Sequence, residues 1–172
     1  MRTLIFIFLL SPLLSFAQKT DMFVKLTDSR NQPIKGEGML KGYERWIVAT
    51  TLTAGGKNNN QVNFTMAVGG ASADLKRALA TGEVLLSAQV NVLAPFNPSV
   101  PAAQISYTIK MENISVTSCS EAMGCDNVMN TTVTLQAVRV GWTYYQTGKT
   151  GAQVVSKKFG WDSSTQSEWS NF

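Results

Sequence analysis

The sequence predicts a mainly β fold: an antiparallel two-sheet β-barrel or sandwich carrying one short α-helix. Three features lead there. Apolar and polar residues alternate in one segment after another, which is the period of a strand with one buried face. Only residues 71–82 (ASADLKRALATG) carry helical spacing instead. The stretches between the alternating segments are rich in Gly, Asn and Pro, which favour turns.

Met1–Ala17 stands apart from the fold. Arg2 gives a positive start, Leu4–Leu10 is an unbroken apolar run, and Ser15-Phe16-Ala17 places small residues where a signal peptidase needs them. The reading is a signal peptide cut between Ala17 and Gln18, leaving 18–172 as a single barrel domain. The run is shorter than the roughly 20 apolar residues a membrane span requires. The mature chain is therefore expected in the periplasm or outside the cell, with no membrane span.

The strands follow in order. Asp21–Asp28 sets Met22, Val24 and Leu26 against Phe23, Lys25 and Thr27. Ser29–Lys35, with Asn31 and Pro33, reads as a turn. Trp46–Thr53 is rich in β-branched residues, as a buried strand would be. Ala54–Gln61 is a polar loop, and Val62–Val68 alternates again. Beyond the helix, Leu86, Ala88, Val90 and Val92 define one face, and the prolines of Phe96–Pro101 interrupt it. Ile105, Tyr107, Ile109 and Met111 alternate next, with Ile114–Thr117 continuing past a bend. Thr131–Tyr145 is a long strand, and a short one around Val154–Trp161 precedes a polar tail.

In the helical segment Ser72 is the expected N-cap, its hydroxyl accepting a bond from an N–H of the first turn. Asp74 sits near the positive end of the helix dipole. Leu75, Ala78 and Leu79 share the apolar face, and Gly82 is suited to the left-handed conformation that ends a helix. About ten residues of helix are marginal alone in water. This one must cover an open end or face of the β structure.

Composition narrows the chemistry. The chain is 44% hydrophobic and 15% charged, which suits a folded rather than a disordered protein. Its 15 Lys and Arg against 11 Asp and Glu are scattered, without the concentrated basic face of a nucleic-acid binder. It contains no histidine, so the commonest general base and metal ligand are missing. The acids are isolated in sequence; Asp28, Glu37, Glu44 and Asp162 read as turn-capping or solvated groups. Gly36-Glu37-Gly38 and Gly69-Gly70 lack the Lys-Ser/Thr continuation of a phosphate loop. No catalytic set, metal site or cofactor site is expected.

Cys119 and Cys125 flank a short polar loop. In an exported chain the expected outcome is a structural disulfide between them. So small a loop would gain about 2–3 kcal/mol from it. Trp46, Trp142, Tyr144 and Tyr145 could line a ligand groove, but core and subunit contacts are the commoner use of such residues.

Several short motifs, taken in order, resemble one known family. Asp21-Met22-Phe23-Val24-Lys25-Leu26 looks like its first strand. Ile34-Lys35-Gly36-Glu37, then Gly42, Trp46 and Ile47, is similar to its "I-x-G-E-S … W-I" segment. The helix trailing into Thr81-Gly82-Glu83 resembles its "T-G-K" region. The strands Tyr107–Val116 and Val133–Val140 and the closing Phe159-Gly160-Trp161-Asp162 complete the series. The family is the haemolysin-coregulated proteins, tube subunits of the type VI secretion system, here as an exported variant. The resemblance implies a barrel of two sheets with a helix on its side. It also implies hexameric rings of identical copies that stack into a tube and carry effector proteins in the lumen. The loops Ser29–Gly42 and Ala54–Gln61 are then candidates for ring-to-ring contact. The alternative reading is a periplasmic or surface binding module that uses the same barrel for a small ligand or a protein partner.

Overall fold

A computed structural model describes residues 21–55, 60–94, 104–124, 127–148 and 152–172. The signal segment Met1–Ala17, the Ala17–Gln18 junction and Cys125 lie outside them. The strands are β1 (Met22–Thr27), β2 (Pro33–Ile34), β3 (Ile47–Ala54), β4 (Gln61–Ala67), β5 (Val84–Leu93), β6 (Ile105–Met123), β7 (Met129–Thr147), β8 (Gln153–Asp162) and β9 (Ser167–Glu168), with helix α1 (Gly70–Thr81) between β4 and β5.

The molecule is mainly β, and the barrel closes. Neighbours run β4-β3-β1-β5-β6-β7, and β7 returns to pair with β4, Val62 opposite Leu135 and Phe64 opposite Val133. All these pairings are antiparallel. The second sheet anticipated from the sequence is not separate, because all nine strands belong to one hydrogen-bonded sheet. β8 and β9 extend it beyond the ring of six.

The inward residues form one core: Val24 and Leu26, Ile47, Val62 and Phe64, Val90, Ile109, Val133 and Leu135 among them. At one level the alternation breaks in three neighbouring strands together. Buried positions step by three instead of two, from Leu85 to Ala88, from Met111 to Ile114 and from Ala137 to Val140. Leu85 lies opposite Ile114, which lies opposite Ala137. Each strand thus carries one additional residue on the outside there, and Asn113 takes φ 52° to accommodate it, a conformation that Asn tolerates better than most residues. Leu86 is consequently exposed, and Leu85 takes the core position that simple alternation assigns to Leu86.

At this same level β7 changes partner. Its residues 130–136 pair with β4, and residues 139–147 pair with β8. The junction is tied by Asn60, whose main chain accepts a bond from the Ala137 N–H and whose amide donates to the Val138 carbonyl. Ser163 donates to the same carbonyl through its N–H and its hydroxyl.

α1 carries the chain from the end of β4 to the start of β5. Ala71, Leu75 and Ala78 are buried in the barrel core. Leu79, expected on that face, is at its margin and 36% exposed. Ser72 is also displaced from its expected role. The helix begins earlier, with Gly69 as N-cap, so Ser72 lies within the first turn. Its hydroxyl accepts a bond from the Gly69 N–H (3.2 Å) and meets the Thr131 hydroxyl at 2.8 Å, fastening the helix to β7. The helix ends at Gly82 (φ 67°), with the Glu83 N–H bonding the Ala78 carbonyl.

Candidate assembly and binding surfaces

The acids are used locally. Asp28 is buried and accepts bonds from the N–H groups of Arg30 and Gln32 and from the Arg30 guanidinium. The Gln32 bond is the largest influence holding its carboxyl below the usual range. Asp162 accepts from the Ser164 hydroxyl (2.5 Å) and from Arg139 (2.6 Å), and these, Ser164 first, hold it well below the ordinary carboxylate range. Arg139 reaches Glu112 as well, at 3.2 Å. Glu44 accepts the Gly42 N–H. Each of these groups is spent on a turn or an ion pair beside it. Gly36 and Gly38 serve close packing: a Cβ at either would collide with main-chain atoms of Tyr43, Trp46 or Ile47.

Cys119 carries a free thiol, so the expected bridge to Cys125 is absent from the described structure. Cys119 pairs with Val133 well inside the β6–β7 ladder, which runs on to Met123 opposite Met129. At about 3.4 Å per residue, the strand carries the chain away from Cys119 before it can turn. Burial pushes the thiol up, keeping it protonated and weakly nucleophilic at neutral pH.

The aromatic residues divide between core and outer face. Trp142 is buried and stacks on Phe159 (5.7 Å). Outside the barrel, Phe23, Tyr43 and Leu93 make a second small core. Tyr43 stacks on Phe23 at 4.4 Å, and Trp46 meets Tyr43 edge-on. Tyr144 is exposed, its ring 4.8 Å from that of Tyr107.

Two exposed apolar areas lie at opposite ends of β7. At its start, Met123, Val128 and Met129 stand on the β6–β7 hairpin beside Val68, whose N–H bonds the Met129 carbonyl. At its other end, Tyr144, Val154 and Phe159 are exposed on one face of the β7–β8 hairpin and Val155 on the other. Such areas are usual where a chain contacts another molecule.

The C-terminal segment is not a free polar tail. Gly141 and Gly160 are opposite one another in β7 and β8, and the Phe172 ring fills the space where their side chains would stand. Trp169 packs on Phe172 (4.9 Å), and its N–H bonds the Gly160 carbonyl. Lys158 donates to main-chain oxygens of Ser170 and Phe172 and lies 4.1 Å from the Phe172 ring. This strap walls a cleft of about 390 Å³ on the outer face of β1, β5 and β6. The aromatic pair in the tail, together with a glycine in each of the last two long strands, is the sequence signal that could have located it.

The family model described as "Type VI secretion system effector, Hcp" matches residues 23–144. The chain belongs to the Hcp family. The match runs from Phe23 in β1 to Tyr144 in β7, so it spans the closed barrel and stops before β8 and the strap. Among solved structures, Hcp1 from Salmonella typhimurium is similar in fold, with a TM-score of 0.71 at 17% identity over 88% of this chain and 99% of that one. A doubly substituted Hcp1 from the E. coli EAEC 042 pathovar has a TM-score of 0.63 at 19% identity, covering 79% and 97%. The secreted protein Hcp3 from Pseudomonas aeruginosa has 0.62 at 15%, covering 80% and 97%. No curated protein matches the sequence. Among the described residues of this Hcp-family chain, no helix is long and apolar enough to cross a membrane, and no group of three or more metal-ligating side chains occurs.

Proposed function

We propose that this Hcp-family chain is a non-enzymatic structural subunit. In this reading it is exported after cleavage between Ala17 and Gln18 and acts in the periplasm or outside the cell. Copies join head to tail into hexameric rings that stack and leave room for effector proteins in the lumen. The observation that carries the reading is the pair of unlike apolar areas at the two ends of β7. A closed ring built head to tail needs two different complementary surfaces on every copy, and a two-fold dimer needs only one. The closed barrel supplies a stiff body between them. The polar loops Ser29–Gly42 and Ala54–Gln61 are the proposed contacts between rings.

Native mass spectrometry and electron microscopy of the mature protein test this. A six-copy ring is expected, and Val154→Glu, at a position 43% exposed in the monomer, should shift the population to smaller species without unfolding the barrel. A monomer at every concentration would overturn the ring and leave the second reading, a binding module.

A further inference from the structure

The cleft beneath the C-terminal strap has a composition that self-assembly does not require. Its floor is a row of side chains held in register across three strands, Lys25 opposite Gln89 and Gln89 opposite Lys110. Strand spacing puts the two lysine Cα atoms about 10 Å apart, close enough for their long side chains to reach one ligand. Neither lysine has an ion-pair partner among the described residues. Glu112 lines the same cleft and shares Arg139 with Asp162. The two lysines of the lining outnumber its one carboxylate, and neither lysine is paired with it. Thr27, Ser87 and Gln89 add hydrogen-bonding groups to the lining.

One wall is aromatic and fixed: Trp169 and Phe172 line the cleft and are held by the Gly141–Gly160 notch and by Lys158. Lys25 Nζ lies 5.8 Å from the ring of Trp46, which stands outside the lining. Two like charges brought together attract an anion more strongly than either alone. An apolar wall beside polar anchors is the usual make-up of a small-molecule site.

We infer that the cleft between Lys25, Lys110 and the Trp169–Phe172 strap binds a small polyanion, carrying phosphate or carboxylate groups on a flat or apolar body. The lysines take the anionic groups and the strap takes the body. The strap lies beyond the residues that the family model matches, so the site combines a face of the barrel with an extension outside that span.

The test is a titration of the mature protein with pyrophosphate, citrate and phenyl phosphate, followed by NMR shifts and tryptophan fluorescence. Saturable shifts are expected at Lys25, Gln89 and Lys110, with a Kd of about 1 mM or tighter, weakening as salt is raised. The double variant Lys25→Ala/Lys110→Ala should lose at least tenfold in affinity, and Lys157→Ala, at an exposed lysine on β8, should lose none. Preference for pyrophosphate over citrate, or the reverse, separates phosphate from carboxylate ligands. Trp169→Ala should weaken phenyl phosphate more than pyrophosphate. The inference is overturned if no probe gives saturable shifts, if the double variant binds as well as the parent, or if Lys157→Ala weakens binding equally. Ring formation by the same samples is read separately, so loss of the site and loss of assembly are distinguishable.

Discussion

The two halves of β7 are built from similar residues and end in different situations. Residues 130–136 have strands on both sides, β6 and β4, and alternate strictly between the core and the outside. Residues 139–144 also have two neighbours, β6 and β8, and residues 145–147 pair with β8 alone; β8 leads out of the barrel, and most of its side chains are exposed. The first half belongs to a closed ring, where each strand is held by two others and no edge is left. The second belongs to an open flap, whose outer face has to be covered by something else. The strap provides that cover. The flap thus anchors the strap, and the strap walls a cleft on the outer face of the closed ring.

The sharpest way to break the comparison is to empty the closed half. Phe64 is fully buried and faces Val133 across the seam. Phe64→Ala should cost about 3–5 kcal/mol, measured by urea unfolding, and should destabilise the whole domain. The same experiment on the flap should give a smaller and local effect. Gly141→Val puts a side chain where the Phe172 ring sits. We expect a loss of about 1–3 kcal/mol and a red shift of Trp169 emission from strap release, with the barrel's strand signal unchanged in circular dichroism. An equal loss of β signal would mean that strap and barrel are one cooperative unit.

The smallest effect is read in acid. The Asp162 carboxyl is held down by the Ser164 hydroxyl and then by Arg139. A depressed folded-state pKa stabilises the fold above the ordinary carboxylate range, and that stability is lost as pH falls through and below it. Stability should therefore fall on acidification. Asp162→Asn should flatten the part of that slope due to this group, seen as a smaller shift of the urea midpoint between neutral and acid pH.

How much could be read beforehand follows from what each residue sees. The alternation of Val62–Met66 and Tyr107–Met111 was legible because one face of each strand meets the core; it fails at the ends, where Val68 is exposed and Ile105 packs on the outer cluster. The helix was legible from Leu75 and Ala78, but its start was not. Ser72 has the chemistry of a cap and uses it to receive the Gly69 N–H and to hold Thr131, a partner far away in sequence. The extension of β6 to Met123 was hidden because its last residues, Ser120 to Met123, are exposed and pair only with β7, so no apolar period marks them. Nor does periodicity say that β4 meets β7. That contact joins segments about 70 residues apart, and the motif order that resembled the Hcp family was the only guide to it. The cleft was missed for a related reason. Lys25, Lys110 and Phe172 are brought together by register and by the strap, not by spacing.

The aligned irregularity at Leu86, Asn113 and Val138 has an evolutionary consequence. A deletion in one of these strands alone would turn part of that strand inside out against two neighbours that kept their own phase. Removing one residue from all three at that level would restore agreement. Relatives should therefore possess either all of the step or none of it.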